Sequence, residues 1–180
     1  MPDPDDGFAE LWDAHYDDVL AYAARRVDHE TARDVAAETF LVAWRRRKDI
    51  PADRPFPWLL HVARNVLANE ARGRRRRGRL WGRLRDDREH QRPVDDIATG
   101  LAEGGRIDAA LRRLPERDRE ALRLVGWECL NTRDAAVVAG CSAKAFSVRL
   151  HRARRRLSAV LAELDAEDQH LPILEGSPQT

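Results

Sequence analysis

A chain of 180 residues, 43% hydrophobic and 35% charged, has room for one ordinary domain or two small ones, with little apolar content to spare for a large core. Aromatic residues make up 6% and β-branched residues form no long alternating runs, which argues against sheet architectures and predicts an all-α protein. The formal net charge of +1 hides local asymmetry, because residues 1–18 and 163–168 are acidic while residues 72–92 are dense in arginine, and only clustered charge creates a field that a charged partner feels.

The N-terminal "MPDPDDGF" is acidic, unlike a signal peptide, and no stretch reaches the roughly 18 apolar residues of a membrane span. A cytoplasmic protein without membrane insertion is the expectation. Phe8, Leu11, His15, Val19 and Tyr22 recur at helical spacing and predict a first amphipathic helix. A second helix follows in "ETARDVAAETFLVAWRRR", with Thr31 as its expected cap. "KDIPADRPFP" holds Pro51, Pro55 and Pro57 and reads as a loop, after which "WLLHVARNVLANEAR" restores the helical pattern. Residues 8–72 thus form a first helical block.

Residues 73–105 carry repeated glycine, a basic half, an acidic half and few apolar anchors, the composition of a flexible linker. The second block spans residues 106–163, with Leu111, Leu114, Leu122 and Val125 as core positions and Pro115 at a helix start. Residues 164–180 read as a C-terminal tail. Cys129 and Cys141 are the only cysteines and have no metal-ligand spacing, so neither a metal nor a cofactor is expected. No glycine-rich phosphate loop, HExxH or nucleophile motif suggests an enzyme.

Within the second block, "AAVVAGCSAKAFSVRLHRARRRL" (residues 135–157) places five arginines in its last nine residues. A short helix over 132–139, a left-handed turn at Gly140 and a cap at Ser142 predict a helix-turn-helix. Phe146, Leu150, Ala153 and Leu157 form the inward stripe of its second helix, and the small Ala136 allows close crossing. The other faces carry Lys144, Ser147, Arg149, His151, Arg152 and Arg155, suited to a DNA major groove. A solvated helix end rich in arginine is the plainer alternative.

Both blocks together carry a resemblance. "DHETARDVAAETFLVAWRRRKDIPADRPFPWLLHVARNVLANEAR" resembles sigma region 2, and "LRRLPERDREALRLVGWECLNTRDAAVVAGCSAKAFSVRLHRARRRL" resembles sigma region 4. Their order and spacing are similar to those of the extracytoplasmic-function (ECF) bacterial sigma factors, over about residues 8–161. The resemblance implies a region 2 helical bundle and a region 4 helix-turn-helix joined by a flexible linker. It implies a subunit that binds core RNA polymerase, through the β′ clamp helices and the β flap, and directs initiation at promoter DNA. An anti-sigma factor is the further partner it implies.

The resemblance also distributes the residues. Glu30, Asp34 and Glu38, at i, i+4 and i+8, form an acidic stripe on the segment that docks on the clamp helices. Like charges at that spacing cost a few tenths of a kcal/mol per pair in a free helix. Lys48, Arg54, Phe56, Trp58, His61, Asn65, Asn69 and Arg72 fall in the part that binds and opens the −10 element. A basic groove, aromatic surfaces and base-reading amides are what captured single-stranded DNA requires. For Trp58, core packing competes with stacking on a base. In region 4, Ser147 and His151 are placed to read −35 bases, with Lys144, Arg149, Arg152 and Arg155 mainly on phosphate.

Three positions depart from the family's usual residues. Ala37 stands for a common Gln, "AFSV" at 145–148 for a Thr-Val-Lys-Ser-like run, and Cys129 for a common glycine. Two other readings remain: a helix-turn-helix regulator acting without polymerase, and a sigma-like mimic that sequesters an anti-sigma factor. The first leaves the acidic stripe, the proline loop and the asparagines idle. The second should lack basic DNA-facing residues, yet Arg72, Arg149, Arg152 and Arg155 are present.

Overall fold

The computed structural model describes residues 4–81 and 103–169, in which seven α-helices and one short 3₁₀ turn occur without a strand. The first three helices are α1 (Pro4–Ala24), α2 (His29–Arg45) and α3 (Pro55–Trp81), with the 3₁₀ turn at Arg47–Asp49. They pack around Val19, Tyr22, Val35, Phe40, Leu59 and Leu60, all at most 1% exposed. Phe40 is the hub of an aromatic cluster, with ring centroids of Trp12, Tyr16 and Phe8 at 4.6, 5.9 and 6.4 Å.

Helix α2 starts at a different cap from the one expected. Asp28, in extended conformation, accepts from the Thr31 backbone N–H at 2.9 Å and from the Thr31 hydroxyl at 2.8 Å. Thr31 is therefore the partner of the cap, three residues inside it, and the carboxylate wins because it accepts both donors at once. The Thr31 backbone N–H first, then its hydroxyl, holds the Asp28 carboxyl below the usual carboxylate range. A depressed carboxyl stabilises the fold above its unfolded pKa and loses that contribution as pH falls through the lowered folded value. Asp28→Ala is expected to cost about 1 kcal/mol at neutral pH, with a smaller loss in acid, read by thermal melts at both pH values.

The proline segment also needs correction. Pro55 and Pro57 lie in the first turn of α3, where a missing N–H removes no helical hydrogen bond, so the loop ends at residue 54. Helices extend into both ends of the stretch 73–105 that composition reads as a linker. Helix α3 continues through 73–81, because arginine is a good helix former and tolerates the cost of Gly73 and Gly78. Helix α4 (Glu103–Arg113) begins before residue 106, and residues 82–102 lie outside the described residues.

The second block adds α5 (Glu116–Gly126), α6 (Thr132–Ala139) and α7 (Ala143–Gln169) to α4. Its interior is Leu111, Leu114, Ala121, Leu124, Val138, Phe146, Leu150 and Ala153, while Leu122 and Val125 are half-buried at its edge. Buried Asp118 is neutralised by Arg156 from α7. Helix α7 runs six residues into the expected tail, to Gln169, where Glu167 pairs with Arg113 of α4 at 2.9 Å and Asp165 with Arg106. The tail's "HLPIL" lies outside the described residues. The two blocks share one continuous core, with α6 packed between α3 on one side and α5 and α7 on the other.

Candidate nucleic-acid interface

The helix-turn-helix is built by caps at each corner. Asn131 accepts from the backbone N–H groups of Arg133 and Asp134, both at 3.0 Å, and starts α6. Gly140 ends it at φ +64°, the left-handed conformation in which a side chain is strained. The Gly140 N–H donates to the Val137 carbonyl at 3.1 Å and the Cys141 N–H to the Ala136 carbonyl at 3.0 Å, which closes the helix end and turns the chain sharply. Ser142 Oγ then accepts from the Ala145 N–H at 3.2 Å to open α7.

Phe146, Leu150 and Ala153 face inward and Leu157 is half-buried, so the opposite face of α7 is fixed. Lys144, Ser147, His151, Arg152 and Arg155 are exposed there, while Arg149 is half-buried. Two further exposed residues share this end of the helix: Val148, 46% exposed, and Arg154. Sequence reasoning passed over Val148 because an apolar residue in an amphipathic helix is first read as core; exposed, it can meet a thymine methyl.

The −10 candidates divide into two groups. His61, Asn65, Asn69 and Arg72 follow one another along a face of α3: Asn65 Nδ2 lies 3.1 Å from His61 Nε2, and Arg72 donates to Asn69 Oδ1 at 2.5 Å. Both asparagines are exposed. They border a pocket of about 240 Å³ whose wall is half-buried Trp58, with the Arg46 guanidinium 5.7 Å above its ring. Trp58 thus serves packing and pocket together. Arg46, which sequence reasoning did not single out, supplies the positive charge at this mouth.

The others lie apart from that face. Phe56 does not present a free ring: it stacks on His15 with centroids 5.5 Å apart, because the first turn of α3 directs it toward α1. Arg54 is half-buried and donates to Asp134 of α6 at 2.6 Å. Lys48 is exposed within the 3₁₀ turn.

Glu30, Asp34 and Glu38 stand exposed on α2, opposite its buried Ala32, Val35, Ala36, Thr39 and Phe40. Among the described residues none of the three makes an ion pair. Leu41, 42% exposed and one turn beyond Glu38, adds an apolar contact to the acidic stripe. Cys129 adopts φ +51°, which explains why a glycine is usual at its place in the family and costs this chain about 1 kcal/mol. Among the described residues no cluster of His, Cys, Asp or Glu could hold a metal, and no helix is long and apolar enough to cross a membrane.

Comparison with known families matches residues 11–77 to sigma-70 region 2 and residues 104–157 to sigma-70 region 4. RNA polymerase sigma factor CnrH of Cupriavidus metallidurans is 34% identical over 160 residues, covering 82% of this chain and 83% of CnrH. ECF RNA polymerase sigma factor EcfG of Rhodopseudomonas palustris is 33% identical over 143 residues, covering 77% and 76%. The chain belongs to the ECF sigma factors. As a member it binds core RNA polymerase and directs promoter-specific transcription initiation. The solved structure of CnrH in complex with the cytosolic domain of CnrY superposes with a TM-score of 0.59 at 31% identity, covering 87% of this chain and 88% of that one. This sigma factor therefore shares the two-domain helical architecture as well as the sequence signature.

Proposed function

We propose that the sigma factor divides its work among three faces. The acidic stripe of α2, Glu30, Asp34 and Glu38 with Leu41 beside it, docks on a basic surface of core polymerase. The polar face of α3, from His61 to Arg72 with Trp58 and Arg46 at the pocket, reads and holds the −10 element. The outward face of α7 enters the −35 major groove, with Ser147, Val148 and His151 on base edges and Lys144, Arg149, Arg152 and Arg155 on phosphate. The observation that carries this reading is that Glu30, Asp34 and Glu38 on α2, Asn65, Asn69 and Arg72 on α3, and Lys144, Ser147, Val148, His151, Arg152 and Arg155 on α7 are exposed while the opposite side of each helix is core. The protein acts as a regulatory subunit in the cytoplasm, without a catalytic centre or cofactor of its own. An anti-sigma polypeptide is a second partner, by analogy with the CnrH–CnrY complex.

Run-off transcription with core polymerase on DNA upstream of the protein's own operon tests the whole reading. A transcript that requires the protein is expected. Failure of both transcription and co-purification with core enzyme would overturn it. Arg152→Ala is expected to weaken −35 duplex binding and reduce the slope of log affinity against log salt by about one. An unchanged slope assigns Arg152 a structural role instead.

A further inference from the structure

A second cavity, of about 530 Å³, opens between the start of α1 and the stretch that joins the 3₁₀ turn to α3. It shares no residue with the pocket that Asn65 and Asn69 line, and consecutive arginines serve the two, Arg46 the first and Arg47 the second. Its wall is apolar. Phe8 and Leu11 contribute from α1, and Ile50, Pro51 and Pro55 from the loop and the first turn of α3. Phe8 meets Trp44 edge to face with ring centroids 4.9 Å apart, and Leu11 and Ile50 are half-buried against the core. The rings of Pro51 and Pro55 fix the backbone φ, so this wall is formed before anything binds.

The rim is cationic. The Arg47 guanidinium lies 4.7 Å from the centroid of the Trp44 ring and donates from Nη1 to the Trp44 carbonyl at 3.2 Å. These contacts hold it at the mouth and leave its other N–H groups without a partner among the described residues. Lys48, next in the chain, is exposed and, among the described residues, unpaired. The acids of this stretch are engaged elsewhere: Asp49 accepts from Arg46 at 3.0 Å, and Asp53 lies 3.6 Å from Arg54. No carboxylate lines the cavity.

We propose that this cavity binds a small amphipathic anion, an acyl chain with one terminal carboxylate, its chain against Phe8, Leu11 and Ile50 and its head group on Arg47 and Lys48. The volume falls within the roughly 300–1,000 Å³ of small-molecule sites, whose usual make-up is an apolar lining with a few placed charges. A planar guanidinium meets a carboxylate through two parallel hydrogen bonds, and the ammonium adds a point charge. A membrane surface carrying the same anion fits less well, because these apolar residues line a cavity instead of forming an outward apolar face. Lys48 also belongs to the −10 set, and on that reading a bound carboxylate lowers the positive charge offered to promoter DNA.

Isothermal titration of the full chain with dodecanoate below its micelle-forming concentration, at low salt, should show saturable one-to-one binding. Dodecan-1-ol, which keeps the chain and lacks the charge, should bind about tenfold more weakly. Octanoate should be weaker by about tenfold or more, because its shorter chain leaves part of the apolar wall uncovered. Arg47→Glu reverses the charge at the mouth and Ala52→Trp fills the cavity from an exposed lining position, so each should abolish binding at an unchanged melting temperature. If Arg47→Glu melts early for want of its contact with Trp44, Ala52→Trp carries the test. Equal affinity for dodecan-1-ol, full binding by Ala52→Trp, or tighter binding of thymidine 5′-monophosphate than of dodecanoate overturns the site. Sedimentation with phosphatidylglycerol vesicles but no heat with monomeric dodecanoate assigns the anion to a membrane and overturns it too. The effect on DNA is read separately: saturating dodecanoate should weaken binding of a fluorescent oligothymidylate by about threefold. An unchanged affinity removes that coupling, while the cavity itself is judged by calorimetry without DNA.

Discussion

Replacing Asp34 and Glu38 together by arginine is expected to weaken binding to core RNA polymerase by about thirtyfold or more. The estimate follows from turning two attractive contacts into repulsive ones across an interface, for which about 2 kcal/mol is a modest figure. Both carboxylates are exposed and, among the described residues, unpaired, so nothing in the free protein competes for them. The change should leave the fold intact. Asp34→Arg gains an opposite charge one turn from Glu30, while positions 34 and 38 remain like-charged, so the net effect on α2 is a few tenths of a kcal/mol. Measured by titration of labelled protein with core enzyme, the loss should appear with an unchanged melting temperature. Affinity within twofold of wild type would remove α2 as the docking face. Leu41→Ala makes a smaller companion test, since it deletes the apolar contact without touching charge.

The helices were legible because their inward stripes are regular: Phe146, Leu150 and Ala153 fall at spacings of 4 and 3, and all three are buried as that spacing requires. The helix-turn-helix was legible for a sharper reason. Gly140 and Ser142 each satisfy a backbone need that few other residues meet as cheaply, and the structure uses both that way. Boundaries were harder. Pro55 and Pro57 forbid the middle of a helix but suit its first turn, and composition by itself does not separate the two. Residues 73–81 show the same ambiguity, since a run of arginine and glycine reads as linker yet continues a helix already nucleated upstream.

The site was legible as a set of residue types, but its partition was not. Asn65 and Asn69 could be placed on one face from their spacing of four. That Phe56 packs on His15, that Arg54 reaches Asp134 eighty positions away, and that Glu120 and Glu128 receive Arg26 all depend on how two blocks meet. Periodicity within one helix carries no information about that. Arg46 and Val148 were missed for a related reason: each is ordinary in its own helix and gains significance only from what lies across from it or from being left uncovered.

Asn65→Ala with Asn69→Ala should lower run-off transcription by about thirtyfold or more while leaving core polymerase affinity and −35 duplex binding unchanged. Each amide offers a donor pair and an acceptor to a base edge, and a well-made contact of that kind is worth about 1–3 kcal/mol. The two side chains use different partners in the free protein, His61 for Asn65 and Arg72 for Asn69, so their losses should be roughly additive. Both partners are themselves polar and half or fully exposed, so truncation strands no buried group and the helix is unharmed; alanine is the better helix former. A template with its −10 segment already unpaired separates two ways the amides can act. If they read bases on the captured strand, pre-melting does not restore the variant. If they only help separate the strands, it does, because the energy of unstacking no longer has to come from the protein. The neighbouring pocket of about 240 Å³ beneath Arg46, with Trp58 as its wall, favours the first outcome. It offers an extruded base an aromatic surface and a cation in a pocket that both asparagines line.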